Sequence, residues 1–171
     1  KTLFPYTTLF RSKPADNTHH ILRHWQEAVP NDRLAHLVRD AGRAYTRALQ
    51  VRLAQHNVPF GHWAFLRILW DGDGLTQREL SERAGVMEPT TFSAMKTMEG
   101  LGYIERRQLP DNKKNMYVYL TSKGKALKKK LVPLAEETNH VSIQGISAQD
   151  VATTRRVLLA VLNNLAQDDP R

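Results

Sequence analysis

The chain has 171 residues, of which 41% are hydrophobic, and a net charge of +8. This length suits one compact domain, or a small domain with helical extensions. The absence of cysteine excludes disulfides, cysteine-ligated zinc and thiol-based redox sensing, and the seven histidines show no metal-ligand spacing. No apolar run reaches the roughly 20 residues of a membrane span, and no secretory signal pattern is present, so we expect a cytoplasmic protein without cofactor.

The N-terminal residues form a segment of their own. Residues 2–12 read TLFPYTTLFRS, a string that resembles the translation of a widely used sequencing adapter. We therefore predict that residues 1–12 are a non-native tail, with a native flexible tail as the alternative. Residues 13–31 are of mixed polarity and are interpreted as an N-terminal lead-in.

A long amphipathic helix is predicted over residues 32–56. Apolar side chains recur there at steps of three and four, with arginines on the opposite face. Asn31 or Asp32 can cap this helix. Residues 60–70 are apolar on most sides, which predicts a short buried helix. Residues 71–74 form a loop by composition.

Two helices joined by a glycine-containing turn come next. Thr76 and Glu79 have the spacing of a capping box, so the first helix begins after Thr76, and it stops at Gly85. The second begins near Pro89, a residue suited to a first helical turn, and ends at one of the next two glycines. Its predicted inward-facing residues, spaced by three, are Phe92, Met95, Met98 and Leu101.

A β-hairpin is predicted after these helices. Residues 103–106 and 116–120 are rich in strand-forming side chains. Residues 109–115, between them, are turn-rich, polar and basic, which predicts a charged tip.

Two further helices follow the hairpin. Thr121 or Ser122 can cap the first, over residues 123–140, and Ser147 begins the last. Leucines recur in both at helical spacing, so residues 122–168 are expected to be a helical region.

The positive charge is concentrated in one third of the chain. Residues 96–130 contain ten lysines and arginines and three acidic residues, a net charge of +7. The remaining 15 basic and 14 acidic residues nearly cancel. This polarisation indicates a surface that faces a polyanion, with a solvated lysine-rich helix face as the alternative.

The order helix, turn, helix, strand, basic loop, strand is that of a winged helix-turn-helix, here over residues 58–121. We expect a mainly α (α+β) fold in which residues 32–57 and 122–168 form long flanking helices. The second helix of the motif can enter the major groove of double-stranded DNA, while helix N-termini and lysines favour phosphate. The predicted DNA-binding residues are Gln77, Arg78, Pro89, Thr90, Thr91, Ser93, Lys96, Arg106, Lys113 and Lys114.

Four stretches resemble the MarR family of bacterial regulators, and the resemblance extends over roughly residues 32–167. They are LTQREL at residues 75–80, GLGYIERR at 100–107, Pro110-Asp111 and LTSKG at 120–124. The sequence departs from the family at Lys113, where such wings often carry arginine. Lysine keeps the charge but loses the planar fork that pairs with a carboxylate.

The resemblance implies a homodimer that uses the flanking helices for dimerisation and binds a pseudo-palindromic operator. It also implies a repressor released by a small effector, commonly an aromatic acid or thioester. Long amphipathic helices outside a small DNA-binding module agree with dimerisation, because their apolar stripes need a partner surface. The candidate effector-binding residues are Arg43, Arg47, His62, Trp63, Leu66 and Trp70.

Several alternatives remain open at this point. Most of these aromatic residues are also expected in a plain core. The DNA-binding protein could be effector-independent or architectural, and a winged helix could serve only protein contacts. An enzyme is disfavoured, because the chain lacks cysteine, a glycine-rich phosphate loop, and any serine or histidine in a catalytic context.

Overall fold

The computed structural model describes residues 14–27 and 33–168. The predicted non-native tail and the capping residues Asn31 and Asp32 lie outside the described residues. The chain divides into an N-terminal unit, residues 1–63, and a C-terminal unit, residues 64–171. Each unit is described by itself.

The N-terminal unit contains two helices, α1 (Pro14–Glu27) and α2 (Leu34–Ala54). Helix α1 lies within residues 13–31, the segment interpreted from the sequence as a lead-in. The Trp25 indole N–H donates to Asp40 Oδ2 at 3.3 Å and joins α1 to α2. The long helix predicted over residues 32–56 is confirmed.

Apolar side chains on α2 remain in contact with solvent. Only Leu53 is fully buried on this helix. The exposed members, between 42% and 53% accessible, are Leu34, Leu37, Val38, Tyr45 and Val51. The amphipathic pattern therefore predicted the helix correctly, and its stripe is left largely uncovered.

Helix α3 (Phe60–Asp71) spans the boundary between the units. It is a short buried helix, as predicted, because five of its side chains are less than 9% exposed. They are His62, Trp63, Phe65, Leu66 and Leu69.

The C-terminal unit is built around a three-stranded antiparallel sheet. Strands β1 (Leu75–Thr76), β2 (Ile104–Leu109) and β3 (Asn112–Leu120) lie in the order β1-β3-β2. Leu75 pairs with Val118, and Ile104 pairs with Leu120. Strand β1 was not predicted, since two residues are too few for alternation to be visible in sequence.

Helices α4 (Gln77–Ala84) and α5 (Glu88–Gly100) form the helix-turn-helix. The predicted capping box is confirmed: the Thr76 N–H donates to Glu79 Oε2 at 2.7 Å, and the Glu79 N–H donates to Thr76 Oγ1 at 3.2 Å. The Thr76 backbone bond lowers the pKa of Glu79. Gly85 ends α4 with a φ of 64°, a left-handed conformation that glycine adopts without steric cost.

The buried face of α5 agrees with the prediction at Met95 and Met98 and differs from it at the other two positions. Thr91, Met95 and Met98 have no exposed surface. Phe92 and Leu101, which were predicted to face inward, are 52% and 39% exposed. Neighbouring residues on a helix lie about 100° apart, and Thr91 occupies the inward position of the first turn, so Phe92 faces outward.

Helices α6 (Ser122–Ser142) and α7 (Ala148–Gln167) complete the chain. Thr121 and Ser147 accept the first-turn N–H bonds of these helices, which confirms the predicted caps. Helix α7 contains no buried residue. Among the described residues, no helix has the length and apolar character to span a membrane.

Candidate nucleic-acid interface

A buried hydrogen bond holds α5 against α4. The hydroxyl oxygens of Ser81 and Thr91 lie 2.7 Å apart and share a hydrogen bond, and Ser81 Oγ also lies 2.8 Å from Gln77 O. Thr91 is therefore part of the packing between the helices. The prediction that Thr91 contacts DNA is wrong, because a side chain without exposed surface cannot reach a base.

The outward face of α5 carries four of the other nine predicted DNA-binding residues. Pro89, Thr90, Ser93 and Lys96 are all exposed. Hydroxyl groups can donate to and accept from base edges or phosphates, and the helix N-terminus adds positive potential. The resulting surface is short, polar and cationic.

The hairpin places Lys113 and Lys114 on a bulge. The strands are longer than predicted and leave only Pro110-Asp111 as the turn. The pairing shifts between Gln108↔Met116 and Leu109↔Asn112, so three extra residues of β3 project from the ladder. The two lysines therefore belong to an irregular strand rather than to the loop in which they were predicted.

Polar bonds hold this bulge in shape. Asn112 Oδ1 accepts from the backbone N–H groups of Lys114, at 3.2 Å, and Asn115, at 3.3 Å. Gln108 Nε2 donates to Lys113 O at 2.8 Å. The backbone of the bulge is held by these bonds, and the exposed side chains of Lys113 and Lys114 are accessible to an anion.

Arg106 lies at the site but is committed to another role. Its Nε and Nη2 both donate to Glu99 Oε2, at 3.0 and 2.6 Å. This bond lowers the pKa of Glu99 and ties β2 to the last turn of α5. The side chain of Arg106 is 21% exposed, so it braces β2 against α5, and its predicted DNA contact stays a prediction.

Gln77 and Arg78 begin α4 and have different surroundings. Arg78 is exposed and forms an ion pair with Glu82 at 2.9 Å on the same helix. Gln77 is half-buried, and its buried Oε1 has no hydrogen-bond partner within the part of the chain that the structure describes. Of these two residues, Arg78 is the one accessible to DNA.

The start of α6 locks the end of the helix-turn-helix to the hairpin. Thr121 Oγ1 donates to Gly102 O at 2.6 Å, and Lys123 Nζ donates to Leu101 O at 2.8 Å. Asp73 Oδ2 accepts from the Leu120 N–H at 2.9 Å. Sequence reasoning missed Asp73, because a carboxylate in a glycine-rich loop looks like any turn residue.

The residues predicted to bind an effector have mixed surroundings. On α2, Arg43 is exposed and lies 3.8 Å from Asp40, whereas Arg47 is half-buried. His62, Trp63 and Leu66 are 8%, 4% and 0% exposed. The three α3 residues thus serve as core.

Trp70 lines a cavity in the C-terminal unit. The cavity has a volume of about 250 Å³, and Trp70 is the one predicted effector residue in its wall. The indole N–H of Trp70 donates to Gly124 O at 3.0 Å. The other wall residues are Leu69, Gly72, Asp73, Leu120, Lys125 and Lys128.

Buried His62 predicts a pH-dependent stability. Burial lowers the pKa of His62 from its ordinary value of 6.5, and among the described residues its Nδ1 has no hydrogen-bond partner. The unfolded chain therefore binds the proton more readily. We expect the free energy of unfolding to fall as the pH drops below 6.5, by up to about 1.4 kcal/mol per pH unit between the two pKa values.

Urea unfolding between pH 7.5 and pH 5 measures this dependence. A His62→Leu variant serves as the reference, since it keeps the buried volume and removes the titrating group. Equal slopes for the variant and the unchanged chain would contradict a titrating role for His62.

A capped helix, a tight turn, an exposed polar helix and a basic hairpin together define the winged helix-turn-helix, a class of DNA-binding proteins. Residues 61–116 match the MarR family. This segment is a MarR family domain, and the curated relatives that the chain matches are transcriptional regulators.

Three comparisons illustrate the relationship. The HTH-type transcriptional regulator TtmR of Methylorubrum extorquens is 26% identical over 80% of this chain, and the match covers 65% of TtmR, so the chain spans just under two thirds of that relative. The organic hydroperoxide resistance transcriptional regulator of Bacillus subtilis is 25% identical over 80% of this chain and 91% of its own length.

The third comparison is with a solved structure. A MarR family transcriptional regulator from Listeria monocytogenes, complexed with 26mer DNA, matches with a TM-score of 0.70. The match covers 80% of this chain and 91% of that chain, at 23% identity. At this identity the likeness shows the fold.

Proposed function

We propose that this chain is a homodimeric repressor that binds a pseudo-palindromic operator and is released by a small effector. The observation that carries the proposal is the polar, cationic face of α5 in the same compact unit as the lysine-bearing bulge of the hairpin. The fold shared with a Listeria regulator that was solved with DNA supports the mode of binding.

The two surfaces have complementary tasks on duplex DNA. The exposed face of α5, with Thr90, Ser93 and Lys96, has the size and chemistry to meet base edges and phosphates in the major groove. Lys113 and Lys114 on the bulge would contact the backbone beside it. Affinity should then come largely from phosphate contacts, because lysines outnumber base-reading groups on these surfaces.

Dimerisation is supported separately in each unit. In the N-terminal unit, α2 exposes a stripe that includes Leu34, Leu37 and Val51. In the C-terminal unit, α7 exposes Leu162 and Leu165 at 64% and 62%. Uncovered apolar stripes of this length are characteristic of partner surfaces, and a second copy of the chain supplies the two-fold symmetry of a palindromic operator.

The cavity beside Trp70 supports a small effector. Its apolar wall suits an aromatic ring, and the ammonium groups of Lys125 and Lys128 suit a carboxylate or thioester-linked phosphate. Leu120 lies in the same wall and ends β3, so an occupied cavity could alter the base of the hairpin.

Because the 171 residues contain no cysteine, a thiol cannot carry the response to an effector. Titration of operator complexes with aromatic carboxylates and their coenzyme A thioesters tests this part.

The DNA-binding part is tested by the double variant Lys113→Ala, Lys114→Ala. An operator is first selected from a random DNA pool with the unchanged protein. We expect the double variant to bind it at least about tenfold more weakly at moderate salt, because two phosphate contacts per protomer are lost. The slope of log affinity against log salt should become shallower by about 2 per protomer.

A matched control removes the same charge elsewhere. Lys129 and Lys130 lie on the third turn of α6 and are exposed. Their double alanine variant should keep most of the salt slope. If both double variants behave alike, or if no DNA is selected and the protein instead forms a salt-insensitive complex with another protein, the proposed function is wrong.

A further inference from the structure

Phe92 is an aromatic side chain on the exposed face of α5. It leaves 52% of its surface accessible. The inward positions of this helix are already filled by Thr91, Met95 and Met98, which have no exposed surface. The ring is therefore not required to complete the core under α5, and its exposure needs another explanation.

Polar and cationic groups surround this ring along the helix. Ser93 is its neighbour in sequence, and Lys96 lies one turn further on the same side, because residues i and i+4 share a helix face. Phe92 also lies in the first half of α5, close to the N-terminus with its positive potential. These groups suit an anionic partner, and the phenyl ring adds apolar surface in their midst.

Duplex DNA offers a matching apolar group. The major groove displays hydrogen-bond donors and acceptors on every base pair, and the C5 methyl group of thymine is its apolar feature. A half-exposed ring gains by removing that methyl group and itself from water. A protein partner would have to cover Ser93 and Lys96 together with the ring, which makes DNA the better occupant.

We propose that Phe92 reads a thymine in each half-site by packing its ring against the C5 methyl group. This inference rests on the proposed function, because it requires α5 to lie in the major groove. Phe92 then supplies an aromatic element of sequence recognition beside the hydroxyl and ammonium groups of the same face.

The test removes single methyl groups from the selected operator. Each thymine is replaced by deoxyuridine, symmetrically in both half-sites. We expect one position at which the replacement weakens binding of the unchanged protein by about fourfold per half-site, the effect of one buried methyl group. The Phe92→Ala variant should bind the thymine and deoxyuridine operators equally, and Phe92→Leu should retain part of the difference.

The control is the Lys113→Ala, Lys114→Ala variant, which should bind more weakly but keep the same ratio between thymine and deoxyuridine. If this variant also leaves the affinity and salt slope unchanged, the proposed function itself fails. If the lysines matter but no thymine shows a difference that depends on Phe92, only the present inference is overturned. Loss of self-association in Phe92→Ala, with unchanged DNA affinity, overturns it as well by assigning the ring to a protein contact.

Discussion

Replacing Gly124 with alanine is expected to lower the free energy of unfolding by about 3 kcal/mol. A Cβ atom at this position would lie 2.0 Å from the backbone oxygen of Tyr103 and 3.0 Å from Leu120 Cδ2. Backbone cannot rotate away as a side chain can, so α6 and the entry to β2 would have to separate by about 1 Å. Urea unfolding followed by circular dichroism measures the change.

The damage should extend beyond one contact. Gly124 O accepts from Trp70 Nε1, and the Gly124 N–H donates to Thr121 Oγ1. A shift at Gly124 therefore strains two hydrogen bonds that position the start of α6.

Gly61→Ala is the matched control, because a Cβ atom on this helical glycine meets nothing within 4 Å. It should leave stability unchanged or raise it by up to about 1 kcal/mol. Equal unfolding midpoints for Gly124→Ala and the unchanged chain would show that the close approach does not exist.

The double variant Leu162→Glu, Leu165→Glu should convert the proposed dimer to a monomer. Both side chains are more than 60% exposed on α7, and they lie on one side of the helix. A two-fold interface would bury four such leucines, and their loss removes roughly 6 kcal/mol or more of apolar burial. Self-association should weaken by about four orders of magnitude, and operator affinity should fall with it. Sedimentation equilibrium measures the association.

The control adds the same charges on the other side of α7. Asn163 and Gln167 are exposed and point away from the leucine side, given 100° per residue. Asn163→Glu, Gln167→Glu should leave self-association in place. A leucine variant that remains a dimer would place the interface elsewhere, and an unchanged chain that is already monomeric would remove the dimer from the proposed function.

Local sequence determined the helix ends and the order of elements. The helix caps are bonds between residues three positions apart: Thr76 with Glu79, Thr121 with Gly124, and Ser147 with Asp150. The stop at Gly85 is likewise local, because it depends on the conformation of the glycine itself. Such bonds depend on little beyond their own segment, which is why the winged helix-turn-helix could be predicted without a structure. The DNA-binding class followed from this order and from the concentration of lysines.

Side-chain placement within those elements needed the tertiary structure. Thr91 faces inward because Ser81, ten residues earlier, meets its hydroxyl, and this bond turns Phe92 outward. Arg106 is held by Glu99 on another element, at a spacing that carries no local signal. The pattern on α5 left the first inward position open, since Thr91 lies four residues and Phe92 three residues before the buried Met95.

The short strand β1 and the bulge at Lys113 and Lys114 illustrate the same limit. Strand β1 exists because Leu75 and Thr76 pair with β3, more than 40 residues later in the chain. The bulge depends on a shift in register between β2 and β3. The sequence by itself indicated the class of protein and determined the starts of α4, α6 and α7, through bonds between near neighbours. Which side chains of the candidate interface are exposed was decided only by tertiary packing, because neighbouring residues on a helix lie about 100° apart and one can be buried while the next is exposed.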